Sequence, residues 1–247
     1  MLDAPCPPVQ QVRKLEGQPF TAAAAETAPG YGARLATTAF GIPSLPRWCV
    51  WVEPAAGEVA DRWERRWLNA IDAALDQWMP LLPITRVNDR NRAHIRVERR
   101  RPPRRKLAGG WRASNGRAVL QLLEVRRADI WRLEPGVTVL VSPELRAQSL
   151  QATALHELGH AFGLWGHSVD PADALAPVQG ASPVLAPSAG DRSTLNWLRD
   201  QPTRFGEPFK PADAAAAGHR FGQGAGGAAR RGRLRAAGRH RIAAVRR

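Results

Sequence analysis

Cysteine, methionine and tyrosine are nearly missing from this 247-residue chain, at two, two and one. Two cysteines exclude a scaffold held by many disulfides and any zinc cluster built from cysteine alone. No apolar run approaches the roughly 20 residues of a membrane-spanning helix, which argues against a membrane protein. The N-terminus, MLDAPCPPVQQVRKLEG, has no basic start followed by an apolar stretch. No export signal is read there, and the compartment stays unassigned. Internal repeats are also lacking. What remains is 44% hydrophobic and 23% charged, the composition of a folded chain with one or two domains and a real core.

Charge is concentrated. The formal net charge is +14, yet residues 86–106 carry ten Arg/Lys against Asp89 and Glu98, and residues 211–247 carry nine Arg against Asp213. Each segment is +8, so the rest of the chain is slightly acidic. The run from Arg99 to Lys106 repels itself and contains Pro102 and Pro103, which predicts a solvated loop. No aromatic side chain interleaves it to stack on bases. The Ala/Gly/Arg-rich tail, residues 206–247, lacks the apolar content to pack and is expected to be disordered. It could bind nucleic acid without specificity.

All nine tryptophans fall between Trp48 and Trp197, which marks the folded unit. Residues 1–46 are Pro/Ala/Gly-rich and are expected to be a poorly ordered extension. Trp48–Val52 reads as a strand stopped by Pro54. Val59, Trp63, Trp67, Ile71, Leu75 and Trp78 recur at helical spacing, predicting a helix over about 57–78 whose stripe packs on a sheet. Strands are expected at Ala93–Val97, Ala118–Leu123 and Val137–Val141, the last most buried. Ser142 and Pro143 suit the start of a second helix running to about Phe162. The order strand, helix, three strands, helix gives an α+β domain with helices on a mixed sheet.

The second helix carries His156-Glu157-Leu158-Gly159-His160. Residues four apart share a helical face, so both imidazoles can meet one metal ion. Glu157, one position round, can reach a water on that metal without ligating it. This is the HExxH pattern of zinc hydrolases, with Glu157 as the catalytic base and Zn2+ as the cofactor. Gly163 allows the chain to turn after the helix, and His167 follows as a third ligand. Asp170 and Asp173 are alternative third ligands, since zinc also accepts carboxylate. His94 is expected to be an exposed strand residue, while His219 and His240 belong to the basic tail. Cys49 is expected to be a small buried apolar residue.

The stretch HELGHAFGLWGHS, His156–Ser168, resembles the metzincin metallopeptidases, above all their matrixin-like branch. GLWGHS and the later DRSTLNWLRDQPTRFG are similar to matrixin-like proteins of bacterial, cyanobacterial type. The resemblance covers roughly residues 47–205. It implies a zincin fold, a mixed twisted sheet with two long helices and a small C-terminal subdomain, acting on proteins or peptides as a monomeric, commonly exported metalloendopeptidase. It implies one catalytic zinc on His156, His160 and His167 and a water activated by Glu157. The chain departs from the pattern in three ways. Three residues rather than two separate Gly163 from His167. Leu175 stands where the family's turn beneath the zinc has methionine, and Tyr31 is too far away in sequence to supply the tyrosine ligand some members add. Ser188 with Asp191 suits the cap of a last helix. Cys6, in APCPP, resembles a pro-segment thiolate that caps the zinc, though its neighbours do not match. Two other readings stay open: a zinc-binding protein of this fold without peptidase activity, and a basic nucleic-acid binder.

Overall fold

The computed structural model describes residues 6–23, 26–107, 110–178, 182–216 and 220–221. In chain order the strands are β1 (Gln11–Glu16), β2 (Ala22–Ala23), β3 (Ala36–Thr37), β4 (Trp48–Val52), β5 (Ile84–Arg86), β6 (Ile95–Glu98), β7 (Arg105–Leu107), β8 (Gly110–Arg112), β9 (Gly116–Arg127), β10 (Ile130–Val141) and β11 (Arg220–Phe221). The α-helices are α1 (Arg62–Trp78), α2 (Ala147–Ala161), α3 (Ala189–Arg199) and the short α4 (Pro211–Ala216). Seven strands form one mixed sheet in the order β11-β1-β9-β10-β6-β4-β5. Strands β10, β6, β4 and β5 run parallel to one another, whereas β9, β1 and β11 extend the sheet antiparallel. This is the α+β class expected from the sequence. No helix among the described residues is long and apolar enough to cross a membrane.

Helix α1 starts later than its Trp stripe suggests. Asp61 accepts from the backbone N–H groups of Trp63 and Glu64, and Glu64 answers to the N–H of Asp61, a reciprocal cap that fixes the first turn. Val59 is left outside the helix and exposed, and Trp63 lies on its surface between the guanidinium groups of Arg62 and Arg66. Trp67, Ile71, Leu75 and Trp78 are fully buried, as the stripe predicts. The two buried indoles bond across to the rest of the core: Trp67 Nε1 donates to Val141 O and Trp78 Nε1 to Leu155 O.

Strands β9 and β10 are twice the expected length and form one hairpin, paired residue by residue from Gly116↔Val141 to Arg127↔Ile130. Its two-residue turn has Ala128 and Asp129 both at positive φ, the geometry that follows strand twist. Pro135-Gly136 sits inside β10, just before the part that pairs with β6, so a proline that cannot donate lies where β10 is paired on one side only. Ser142 does not cap α2. It continues β10 by donating its N–H to Asn115 O, and the helix begins at Ala147.

The largest departure lies in the segment 1–46, expected to be poorly ordered, whose described residues are 6–23 and 26–46. They wrap the sheet: β1 pairs with β9, and a Cys6–Cys49 disulfide ties the segment to β4. Cys49 is buried as expected but is bonded to Cys6, so Cys6 is no metal-capping thiolate here. Leu35, Phe40 and Ile42 are core residues. Past the expected domain end, Phe209 is also buried and its N–H donates to Trp131 O. Most of the basic tail, with His219 and His240, lies outside the described residues.

Candidate metal centre

The centre is built where α2 ends. His156 and His160, one turn apart, project from its last two turns, and the helix closes at Phe162. Gly163 then turns the chain with φ of 110°, and a Cβ there would lie 2.9 Å from Pro43 O. Glycine is required on both counts. The next three residues run against the N-terminal segment. Ala36 N–H donates to Trp165 O at 2.8 Å, and a Cβ on Gly166 would fall 2.3 Å from Arg34 O. Residues 34–36 thus hold the loop whose end presents His167.

The three imidazoles come together, with one ligand atom from each within 4.8 Å of the others. His156 Nδ1 lies 2.8 Å from Ala174 O and His160 Nδ1 2.7 Å from Leu164 O. A carbonyl only accepts, so each Nδ1 carries the proton and each Nε2 keeps its lone pair. Those two Nε2 atoms face each other at 3.1 Å. Two lone pairs at that distance repel unless a cation lies between them. Zinc–nitrogen bonds of about 2.0–2.1 Å at tetrahedral angles set ligand nitrogens about 3.3 Å apart, close to what is seen. The donor set therefore fits a zinc ion. Burial lowers the His156 pKa to about 4 and that of His160 to about 3, the latter helped by His156 itself, and burial lowers His167 too. All three are neutral near pH 7, the form that ligates.

Below the histidines, residues 173–176 form a turn locked by carboxylates. Asp191, fully buried in α3, accepts from the N–H groups of Ala174 (2.8 Å), Leu175 (3.4 Å) and Ser188 (2.8 Å) and from the Tyr31 hydroxyl (2.7 Å). Burial and the Asp191 charge drive the Tyr31 pKa upward, so Tyr31 stays a donor. Asp173 accepts from the hydroxyls of Ser168 and Ser188. It is committed beneath the loop and is not a metal ligand. Asp170 N–H bonds Ser168 Oγ, and Asp170 is absent from the group of converging donors. Leu175 is buried against Gly159, where an added Cβ would come within 2.6 Å of Leu175 Cδ2. It forms the apolar floor expected of that position.

Glu157 lies beside the imidazoles on the side facing β9. It is 8% exposed, and burial pushes its pKa up to about 7 against the opposing pull of the Ala118 N–H and the Arg117 charge. Gly116 makes room for it, since a Cβ there would sit 2.6 Å from Glu157 Cγ. His156 and Glu157 line two adjoining hollows of about 540 and 470 Å3, so a cleft passes across the centre. Phe20, Trp165, Arg105, Arg112 and Arg117 line the second hollow.

His156, Glu157, His160 and His167 are brought together as expected. His94 is not exposed: its side chain is 11% accessible, Nδ1 accepts from Cys49 N–H, and Nε2 lies 3.5 Å from Glu134. From the sequence Tyr31 figures only as a residue too remote to ligate the metal and Gly116 only as a turn residue; neither role at the site is signalled there. Asp191 was recognised only as a cap. No local spacing signals that Tyr31 meets a helix 160 residues later. The sequence matches no protein-family model and no curated protein.

Proposed function

We propose that the chain is a zinc-dependent metalloendopeptidase, metzincin-like and nearest in its motif to the matrixin-like branch, and that its sheet and helices make a zincin fold. One observation carries the reading: two histidines with their Nδ1 protons committed to carbonyls, and a third beside them, converge next to a buried carboxylate in an open cleft. His156, His160 and His167 would hold the ion. When bound, zinc supplies a Lewis acid that polarises a peptide carbonyl and acidifies water. Glu157 takes the proton of the attacking water and returns it to the leaving nitrogen. Its burial keeps that carboxylate basic enough for both transfers. The carbonyls of Ala174 and Leu164 orient the two helix-borne rings, and Leu175 substitutes in packing for methionine, a residue of similar volume. Gly166, pressed against Arg34, absorbs the additional residue before His167.

The test is metal analysis of the purified chain, joined to a quenched-peptide assay. We expect about one zinc per chain, cleavage that strong chelation abolishes, and retention of zinc but loss of cleavage by at least about 100-fold in Glu157→Ala. Undiminished cleavage by that variant defeats the reading. A second reading, zinc binding without hydrolysis, is favoured by His167, which is exposed and whose ring has no hydrogen bond to protein among the described residues. It predicts stoichiometric zinc with no cleavage of any peptide library.

A further inference from the structure

The basic run divides at Pro102-Pro103. On one side, Arg99 pairs with Glu64, Arg100 with Glu98 and Arg101 with Glu144. On the other, the chain turns into the β7–β8 hairpin at the cleft. There Arg105, Arg112 and Arg117 line the hollow that also contains the three histidines. None of these three has an ion pair among the described residues: Arg117 Nη2 donates only to Pro103 O and Ser114 Oγ. Among the described residues, Glu157 is the single carboxylate lining either hollow.

This arrangement costs the fold something. Arg105 and Arg112 stand directly opposite in the β7–β8 register, where like charges destabilise a strand pair. Arg105 also repels Arg117. Natural chains break such local rules chiefly at functional sites. Glu157 acts as a counter-charge to Arg117, which leaves the hollow with an excess of positive charge beside the imidazoles.

We propose that the cleft selects acidic peptides, with an Asp or Glu side chain near the scissile bond held by Arg105 and Arg112 and a further carboxylate drawn inward by Arg117. This rests on the peptidase reading. Arginine presents a planar fork of donors that matches a carboxylate, and a cleft of one sign also speeds encounter with oppositely charged ligands.

The experiment uses the full chain and matched quenched peptides derived from one cleaved sequence, with Glu, Gln or Lys flanking the bond. We expect kcat/KM to favour Glu over Lys by about tenfold at low salt, mostly through KM, and by under about threefold at 0.5 M salt. Arg105→Glu/Arg112→Glu should invert the preference with zinc content unchanged. Arg100→Glu/Arg101→Glu, outside the cleft, should leave the ratio within about twofold. Equal rates on the Glu and Lys peptides overturn the substrate claim and leave the peptidase reading standing. If zinc is bound and nothing is cleaved, the peptidase reading fails, and rhodamine-labelled forms of the same peptides are compared by anisotropy. Preference for Glu that reverses in the hairpin variant keeps the acidic-peptide site, and equal binding removes it. Tighter binding of an oligonucleotide than of the Glu peptide, lost in the same variant, would assign the hairpin to nucleic acid and overturn the proposal.

Discussion

The two helix-borne histidines and the loop-borne one are held by different physics. His156 and His160 are placed by one turn of helix, and the carbonyls that orient them, Ala174 and Leu164, lie within 18 residues. His167 depends on distant chain: its loop is pressed on Arg34–Ala36, which in turn is anchored by the Tyr31–Asp191 bond and, further back, by the Cys6–Cys49 disulfide. Local geometry fixes two of the histidines and long-range packing the third. The strength of the centre should therefore fall away in graded steps as one moves from the helix to the segment that braces the loop.

The largest effect is expected at the helix. His160→Ala should abolish stoichiometric zinc. His167→Ala should retain a weak two-histidine site, weakened beyond the roughly 10–100-fold that follows loss of a group merely supporting a ligand. Competition with a chromogenic chelator distinguishes them, and equal loss in both variants would erase the distinction between helix and loop. Next comes the brace. The disulfide spans a sequence separation of 43 residues, so closing that loop stabilises by about 4 kcal/mol in the chain-entropy account. Denaturant unfolding of Cys6→Ser/Cys49→Ser should show a loss of that order, and zinc affinity should fall with it if the N-terminal segment supports His167.

How much of this was legible follows the same division. The histidine pair, Glu157, the turn at Gly163 and the Trp67–Trp78 stripe all rest on spacings of three or four residues, which a sequence displays directly. The 61–64 cap was displayed too, but Val59 and Trp63 extended the apolar pattern past it. The wrap of residues 6–46 carried no periodicity because β1 is short and exposed on most of its length, with only Leu15 buried. Its order comes from the disulfide, from pairing to β9 and from single contacts such as Tyr31 with Asp191. Composition records none of these. At His94 the flanking arginines suggest solvent, whereas β10, packed alongside β6, brings Glu134 to 3.5 Å from its Nε2.

A smaller step sharpens the comparison at the loop itself. Gly166→Ala must move Arg34 O or the loop, and overpacking of this kind costs about 1–3 kcal/mol. Gly57→Ala, whose Cβ would meet only Val59 O at an ordinary 4.0 Å, should change stability little and serves as the control. Thermal unfolding with and without zinc reads both. If Gly166→Ala loses stability but keeps full zinc affinity, the N-terminal segment braces the fold and not the ligand.

The smallest effect at neutral pH, and one that separates the N-terminal wrap from the metal centre, concerns His94. Burial first, then the Arg127 charge, lowers its pKa from 6.5 to about 3. Between those values the unfolded chain binds a proton that the folded chain refuses. The stabilising contribution of neutral His94 is thus complete above about pH 6.5 and is lost as pH falls toward 3, at no more than about 1.4 kcal/mol per pH unit. His94→Gln can still accept from Cys49 N–H but does not titrate, so it should unfold at a similar midpoint at pH 7 and show a shallower acid dependence than wild type. His156 and His160 titrate in the same window in both proteins, so the difference between the two curves isolates His94. Parallel curves would mean that His94 exchanges its proton with solvent as freely as an exposed imidazole, and that the wrap of residues 6–12 over β6 and β10 does not seal it.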